Sequence, residues 1–517
     1  MNLRITLLAF LCLCATAILR AERVDMLKAG AKANGKALNT KLINSTIDRL
    51  NRGGGGTLFF PAGTYLTGSI HLKSNITLEL EAGATLLFSD NFDDYLPFVE
   101  VRHEGVMMKS FQPLIYAVDA ENITIKGEGT LDGQGKKWWM EFFRVMIDLK
   151  DNGMRDINKY QPMWDAQNDT TAIYAETNKD YVSTLQRRFF RPPFIQPVRC
   201  KKVKIEGVKI VNSPFWTINP AFCDNVTVHG VTIYNPSKDP KGPNTDGINP
   251  SSCRNVRISD CFISVGDDCI TIKSGRDADG RKYGKACENI TITNCVMLSG
   301  HGGVVIGSEM SGGVRRVTIS NCVFDGTDSG IRLKSSRGRG GVVEELRVDN
   351  IVMKNIQRNA FIFDLFYDKE SKVEPVSERT PVFRNIHLSN ITGSDIKQIG
   401  YIKGIEEMPV QGLSFSNINM KAEVGFIVDI AEDIRFDNVD FSSQTGSPWQ
   451  FSKCKQIVLN NVRSKYPVNQ QPIVTFEDVD NAIINNCFQM TPVKDFYKAN
   501  NSHIIEGHNY WKKESFK

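Results

Sequence analysis

One short pattern recurs along this chain and limits what it can fold into. NVTVHGVTI starts at Asn225, NVRISDCFI at Asn255, NITITNCVM at Asn289 and RVTISNCVF at Arg316. ELRVDNIVM follows from Glu345, NIHLSNITG from Asn385, GLSFSNINM from Gly412 and DIRFDNVDF from Asp433. Weaker copies stand near Lys455 and Asn481, and earlier ones at Asn75, Asn122 and Lys202. Copies lie mostly about 20 to 35 residues apart, a spacing typical of stacked repeats. Each alternates apolar and polar residues, bends at Asn, Asp or Gly, and alternates again. That predicts two short strands around a tight turn. One copy cannot bury its apolar face, whereas a stack can, with each backbone paired to the coil above and below. Strand alternation without long helical periodicity predicts an all-β fold, a parallel β-helix. The recurrent Asn predicts a stacked polar ladder inside the turn.

The repeat also orders the cysteines. Of the 12 cysteines, Cys12 and Cys14 lie near the N-terminus, and the other ten form no CxxC pair, which argues against zinc. Cys261, Cys295 and Cys322 take one apolar slot in successive coils, as does Cys487 further on. They read as stacked buried thiols, with disulfides the less favoured alternative. The N-x-S/T sequons fall mostly at strand starts and read as products of the repeat.

The first residues, MNLRITLLAFLCLCATAILRA, carry a positive charge at Arg4, an apolar run from Ile5 to Leu13 and small residues at Ala15, Ala17 and Ala21. This predicts a secretory signal peptide over residues 1–21, cleaved near Ala17 or Ala21. The run is too short to span a bilayer comfortably. The reading is therefore an exported protein, periplasmic or extracellular, with no membrane span. Residues 22–517 read as a single β-helix domain. Only the segment 133–197 breaks the pattern. Its KKWWMEFFRVMIDL and DYVSTLQRRFF runs have helical spacing, which suits either packing at the end of the coil or a wall that narrows a groove. The net charge of +5 over 517 residues is too weak to imply a nucleic acid.

A second element repeats between the copies: DGINP at Asp246, DCITIKSG at Asp268, GGVVIGSE at Gly302, SGIRLKSS at Ser329 and NAFIFDLFY at Asn359. Aligning Ile248, Ile270, Val304, Ile331 and Phe361 makes one inward apolar row. Asp246 and Asp268 then share a slot in neighbouring coils. Asp267 and His301 share the preceding slot, and Arg332 and Lys334 point outward one coil beyond His301. Coil geometry thus gathers carboxylates onto one face, with cations beside them. Such crowding pushes at least one carboxyl pKa upward, so that an acid and a carboxylate coexist near neutral pH. Taken singly, each of these aspartates also suits a turn, and GDD also suits a metal ion or a bend cap. The set in register favours catalysis.

Four motifs, NTDG at Asn244, GDDC at Gly266, GHG at Gly300 and RLK at Arg332, resemble those of the polygalacturonases of glycoside hydrolase family 28. The family's usual form of the last is RIK. SPFW at Ser213, RPP at Arg191 and the glycine-rich opening around Gly54 are similar to further family landmarks. The resemblance implies a right-handed parallel β-helix and an inverting hydrolase acting on α-1,4 galacturonosyl bonds in pectin. Exo action is expected if the segment 133–197 closes one end of the groove. It implies Asp267 as general acid, Asp246 and Asp268 as the pair that activates water, and His301 tuning the acid. Arg332 and Lys334 would bind a leaving-group carboxylate, with Tyr367 and Asn244 lining the site. No metal or other cofactor is implied. The expected partner is a pectic polysaccharide or oligogalacturonide, handled by a monomer. The alternatives are a rhamnogalacturonan hydrolase or galacturonidase on branched pectin, a calcium-dependent pectate lyase and a non-catalytic carbohydrate-binding β-helix.

Overall fold

The apolar rows close into a continuous core because parallel coils stack in register. The computed structural model describes residues 22–152, 158–168, 189–367 and 372–513. The coils form a right-handed parallel β-helix, the hand favoured for parallel crossovers. The inward row is as aligned above: Ile248 bridges Ile270, Ile270 pairs with Val304, Val304 with Ile331 and Ile331 with Phe361. All five are buried. In later coils the row continues through Gly400, Phe426 and Trp449, and phenylalanines fill the widening interior, with Phe415 stacked on Phe436 at 4.8 Å.

The bends explain the recurrent asparagine. Asn294, Asn321, Asn350, Asn390, Asn417, Asn438 and Asn461 all have φ between 52 and 55°, a left-handed conformation that Asn tolerates better than most residues. Their side chains do form a ladder. Asn350 Nδ2 donates to Asn321 Oδ1 at 2.8 Å, and Asn438 Nδ2 to Asn417 Oδ1 at 2.8 Å. The ladder is exposed at the surface, not inside the turn, because positive φ swings these side chains outward.

All ten described cysteines are buried free thiols. Cys261, Cys295 and Cys322 stack in successive coils, each Sγ 3.2 Å from the carbonyl two residues before it. A second column, not anticipated, holds Cys200, Cys223, Cys253 and Cys287. Here the backbone N–H groups of Cys200, Cys223 and Cys253 each donate to the next Sγ at 3.4 Å.

Helix α1, Thr40–Arg52, buries Ile43, Ile47 and Leu50 and covers strands near the N-terminal end of the stack, where an open edge would otherwise invite pairing. Two strands depart from the coil. β1, Val99–His103, and β2, Val106–Ser110, form the one antiparallel strand pair among the described residues. Their turn residues Glu104 and Gly105 have φ of 45° and 85°, as a tight hairpin requires.

Within 133–197 two helices are described: α2, Lys136–Asn152, and α3, Gln161–Gln167. Helix α3 packs on the hairpin, while Trp138 of α2 packs on Phe92, Tyr95 and Phe111. Trp164 stacks on Phe98 at 5.4 Å and its Nε1 donates to Ser110 Oγ at 3.1 Å. Of the DYVSTLQRRFF run only Phe189 and Phe190 lie among the described residues. The expected leader 1–21 lies outside them. No described helix is long and apolar enough to cross a membrane.

Candidate active site

The outward face of the aligned row holds a cavity of about 560 Å³. Every residue singled out in the sequence lines it: Asn244, Asp246, Asp267, Asp268, His301, Arg332, Lys334 and Tyr367. Strand alternation turns Arg332 and Lys334 outward from Ile331 and Leu333, and the bends just ahead of the strands bring the aspartates and His301 to the same face. Asp246 and Asp268 precede their inward Ile by two places, so they share one slot in bridged coils. Trp216 fills that slot one coil earlier and also lines the cavity. Lys334 follows Ile331 by three places, and Lys273 follows Ile270 by three. These two lysines flank Gly307, which pairs with Lys334.

Each carboxylate has a different setting. Asp268 is buried, and Lys334 Nζ lies 3.0 Å from its Oδ2. Its Oδ1 has no hydrogen-bond partner. Asp246 is buried, and its Oδ2 accepts from Asn249 Nδ2 at 3.0 Å and Thr271 Oγ1 at 3.3 Å. Burial, then the charge of Asp267, pushes its carboxyl well above the usual range, with Lys273 opposing. Burial would raise Asp267 too. The hydrogen bond and charge of His301 override that and hold Asp267 at about 2. His301 Nδ1 lies 3.0 Å from Asp267 Oδ1. That hydrogen bond raises the imidazole pKa against burial and the opposing charge of Lys241. The expected raised carboxyl is therefore Asp246, and the expected acid Asp267 is ionised when the site is empty. Asp267, Asp268 and His301 offer atoms within 4.8 Å of one another. Any cation there competes with the ammonium groups already on Asp268 and His301.

Several functional neighbours escaped the sequence reading. Lys241 Nζ lies 2.6 Å from His301 Nε2. Lys273 pairs with Glu309 at 2.8 Å and stands 4.7 Å above the Trp216 ring. Burial would raise Glu309, but Lys273, Arg276 and Arg339 hold it well below the carboxylate range. The landmark Arg191 supports the site from behind, donating to Asn244 Oδ1 at 2.8 Å and Pro214 O at 2.9 Å. The offset of Lys273 from Ile270 equals that of Lys334 from Ile331, so the row alignment contained its signal.

The hairpin closes the face on the side of the earlier coils. Arg102 N–H donates to Gln196 Oε1 at 3.2 Å, and Gln196 Nε2 donates back to Arg102 O at 2.8 Å. Gln196 and Asn219, outward residues beside bridged Ile195 and Ile218, are completely buried. His103 stacks on Phe215 at 4.6 Å. At the tip, Arg276 N–H donates to Gly105 O at 3.1 Å, and Glu104 lies 3.6 Å from the Arg276 guanidinium and enters the cavity lining. No described residue of 133–197 lines the cavity. Of the two readings of that segment, packing or a groove wall, its described residues show packing: α3 lies against the hairpin, and it is the hairpin's Glu104 that lines the cavity.

A family model described as Glycosyl hydrolases family 28 matches residues 179–432. The chain is 33% identical to a hyperthermoactive exopolygalacturonase from Thermotoga maritima of known structure, with a TM-score of 0.71 over 82% of this chain and 93% of that one. The chain belongs to glycoside hydrolase family 28. A curated relative of this family 28 hydrolase, "Probable polygalacturonase" of Vitis vinifera, is 29% identical over 411 residues, 78% of this chain and 74% of that protein. Another, "Endo-polygalacturonase" of Pectobacterium carotovorum subsp. carotovorum, is 27% identical over 396 residues, 74% of this chain and 86% of that protein. The cavity of the family 28 hydrolase thus holds carboxylates, a histidine and cations in one register, the parts needed to cut a glycosidic bond in an anionic sugar chain.

Proposed function

We propose that this chain is an exo-acting polygalacturonase that releases single galacturonate units from the non-reducing end of pectic homogalacturonan. The observation that carries the exo reading is the hairpin bound over Gln196 and Asn219. The face is closed before the carboxylates and continues past them at Arg332 and Lys334. In this reading Arg332 and Lys334 hold the leaving group, which keeps the rest of the polymer. The sugar on the closed side keeps its anomeric carbon, so it is the non-reducing terminal residue. The likeness to the Thermotoga exopolygalacturonase supports this reading.

Asp267 gives its proton to the glycosidic oxygen as the C1–O bond breaks. Water adds to C1, and its proton goes to the Asp246 and Asp268 pair. Asp268 Oδ1, buried without a partner, is the free acceptor. Asp267 obtains its proton through His301, since excluding water disfavours the charged pair relative to the neutral one. The approach of Asp267 and Asp268 within 4.8 Å runs against an inverting assignment for that pair, which usually needs about 6.5–9.5 Å for a water. Proton NMR of the first-formed anomer decides it: the β anomer supports inversion, and the α anomer overturns it.

Residues 22–517 act as one catalytic unit, exported by the leader 1–21 in this reading. The test of function is incubation with unesterified polygalacturonate, following product size over time. Early monomer alone supports exo action, and a ladder of oligomers overturns it. Inert polygalacturonate alongside cleaved rhamnogalacturonan would move the substrate to the branched polymer.

A further inference from the structure

We propose that Arg358 forms a second subsite on the leaving side, binding the carboxylate of the uronate one sugar beyond the residue held by Arg332. The inference rests on the galacturonate reading above and extends it.

Arg358 stands one coil past Arg332. Its neighbour Asn359 pairs with Ser329, as Phe361 pairs with Ile331, and its N–H donates to Asp328 O at 2.7 Å. It lines the same cavity and is exposed. Among the described residues no carboxylate pairs with its guanidinium. Cations further along the same face are already neutralised: Lys397 pairs with Glu423 and Lys403 with Asp429. Arg332 likewise has no carboxylate partner, and its Nε is buried without a hydrogen bond. Beyond the carboxylates, then, the described residues of this face offer two guanidiniums without a carboxylate partner, Arg332 and Arg358, in successive coils.

Their spacing suits a uronate chain running along the stack. Coils rise about 4.8 Å, close to the length of one 1,4-linked pyranose. Arg332 follows its inward residue Ile331 by one place, whereas Arg358 precedes Phe361 by three, so the two stand on opposite flanks of the groove. Consecutive sugars of an extended 1,4-linked chain turn over relative to one another and present their carboxylates to alternate sides. A guanidinium matches a carboxylate bidentately, and one such unpaired contact contributes enough to change affinity about tenfold or more.

The test compares kcat/KM for digalacturonate, trigalacturonate and tetragalacturonate in wild type and Arg358→Ala. With one sugar on the closed side, the dimer stops at Arg332 and the trimer reaches Arg358. We expect wild-type kcat/KM to rise about tenfold from dimer to trimer and level off at the tetramer. In Arg358→Ala the trimer-to-dimer ratio falls toward one, through KM. A ratio retained in the variant, or already one in wild type, overturns the subsite. A trimer whose reducing-end carboxyl is reduced to the alcohol tests the same contact without mutation. On wild type it should behave as the dimer does, and trimer-like rates would overturn the proposal. Failure to cut either oligomer would instead overturn the galacturonate reading, and the subsite with it.

Discussion

Asp267 and His301 face each other across 3.0 Å, Oδ1 to Nδ1, while Lys241 Nζ sits 2.6 Å from the opposite ring nitrogen. A nitrogen–nitrogen contact of that length holds one proton, not two. Lys241 as a donor therefore leaves the other imidazole proton on Nδ1, aimed at Asp267. The acid assigned to Asp267 draws on this chain of groups. Asp267→Asn should fold and lose at least about 10²-fold in kcat, the lower range for general acid catalysis. Steady-state kinetics together with far-UV circular dichroism would check this. Near-wild-type turnover would remove Asp267 from the acid role.

Lys241→Met should move the alkaline limb of the pH–rate profile upward. The ammonium opposes protonation of His301, whereas Asp267 favours it. Removing the cation lets the His301–Asp267 pair keep its proton to higher pH, and activity that depends on that proton persists further. The profile of kcat against pH is the measurement. A rise in KM with an unmoved limb would show instead that Lys241 binds substrate.

Asp246→Asn should stabilise the fold while stopping catalysis. Burial and the charge of Asp267 raise the Asp246 pKa. Its contribution is favourable below the unfolded value of about 3.9 and is lost as pH rises through the folded value. Near neutrality, folding must take up a proton or bury an unwelcome charge. Asn keeps an oxygen to accept from Asn249 and Thr271 without that cost. We expect a gain in stability at pH 7, where the raised carboxyl would have to ionise or take up a proton, and little gain near pH 3.5. Thermal melts at both values would test it, and equal stability at both would refute the buried-charge account.

Much of this site was legible because a β-helix turns sequence offsets into positions in space. Ile248, Ile270, Val304, Ile331 and Phe361 could be aligned by their apolar character, and the observed pairings reproduce that row. The placement of Asp246, Asp267, Asp268, His301, Arg332 and Lys334 follows from it. The hairpin could not be read this way, since Val99–Ser110 lies outside the repeat and docks through single contacts such as Arg102 with Gln196. Lys241 sits in an irregular connection where no periodicity places it. The asparagine ladder was visible, but its side depended on a backbone φ that a list of residues does not state. Crowding foretold a raised carboxyl, and the orientation of His301 decided that it was Asp246 instead of Asp267.

Arg102→Ala should open the closed end and change the products. Arg102 is fully buried, with NH1 donating to Ser252 Oγ at 2.9 Å and Cζ 4.3 Å from the Phe222 ring centroid. Burial brings its pKa down to about 10, with Asp279 opposing, so it stays charged at neutral pH and ties the hairpin to later coils. Gly275 makes room for it: a Cβ there, at φ +94°, would lie 2.2 Å from Arg102 NH2. Truncating Arg102 leaves a cavity and an unanswered Ser252, which should cost about 2–4 kcal/mol. The Gln196 contacts are to the Arg102 backbone, so they survive the substitution but no longer have the guanidinium behind them. Wild type should yield monomer from polygalacturonate, and the variant monomer plus short oligomers, as chains slide past the loosened tip. Size-resolved product analysis over time would detect the change. Monomer alone from a folded variant would place the barrier elsewhere, with Trp216 and the Lys273–Glu309 pair the next side chains to truncate.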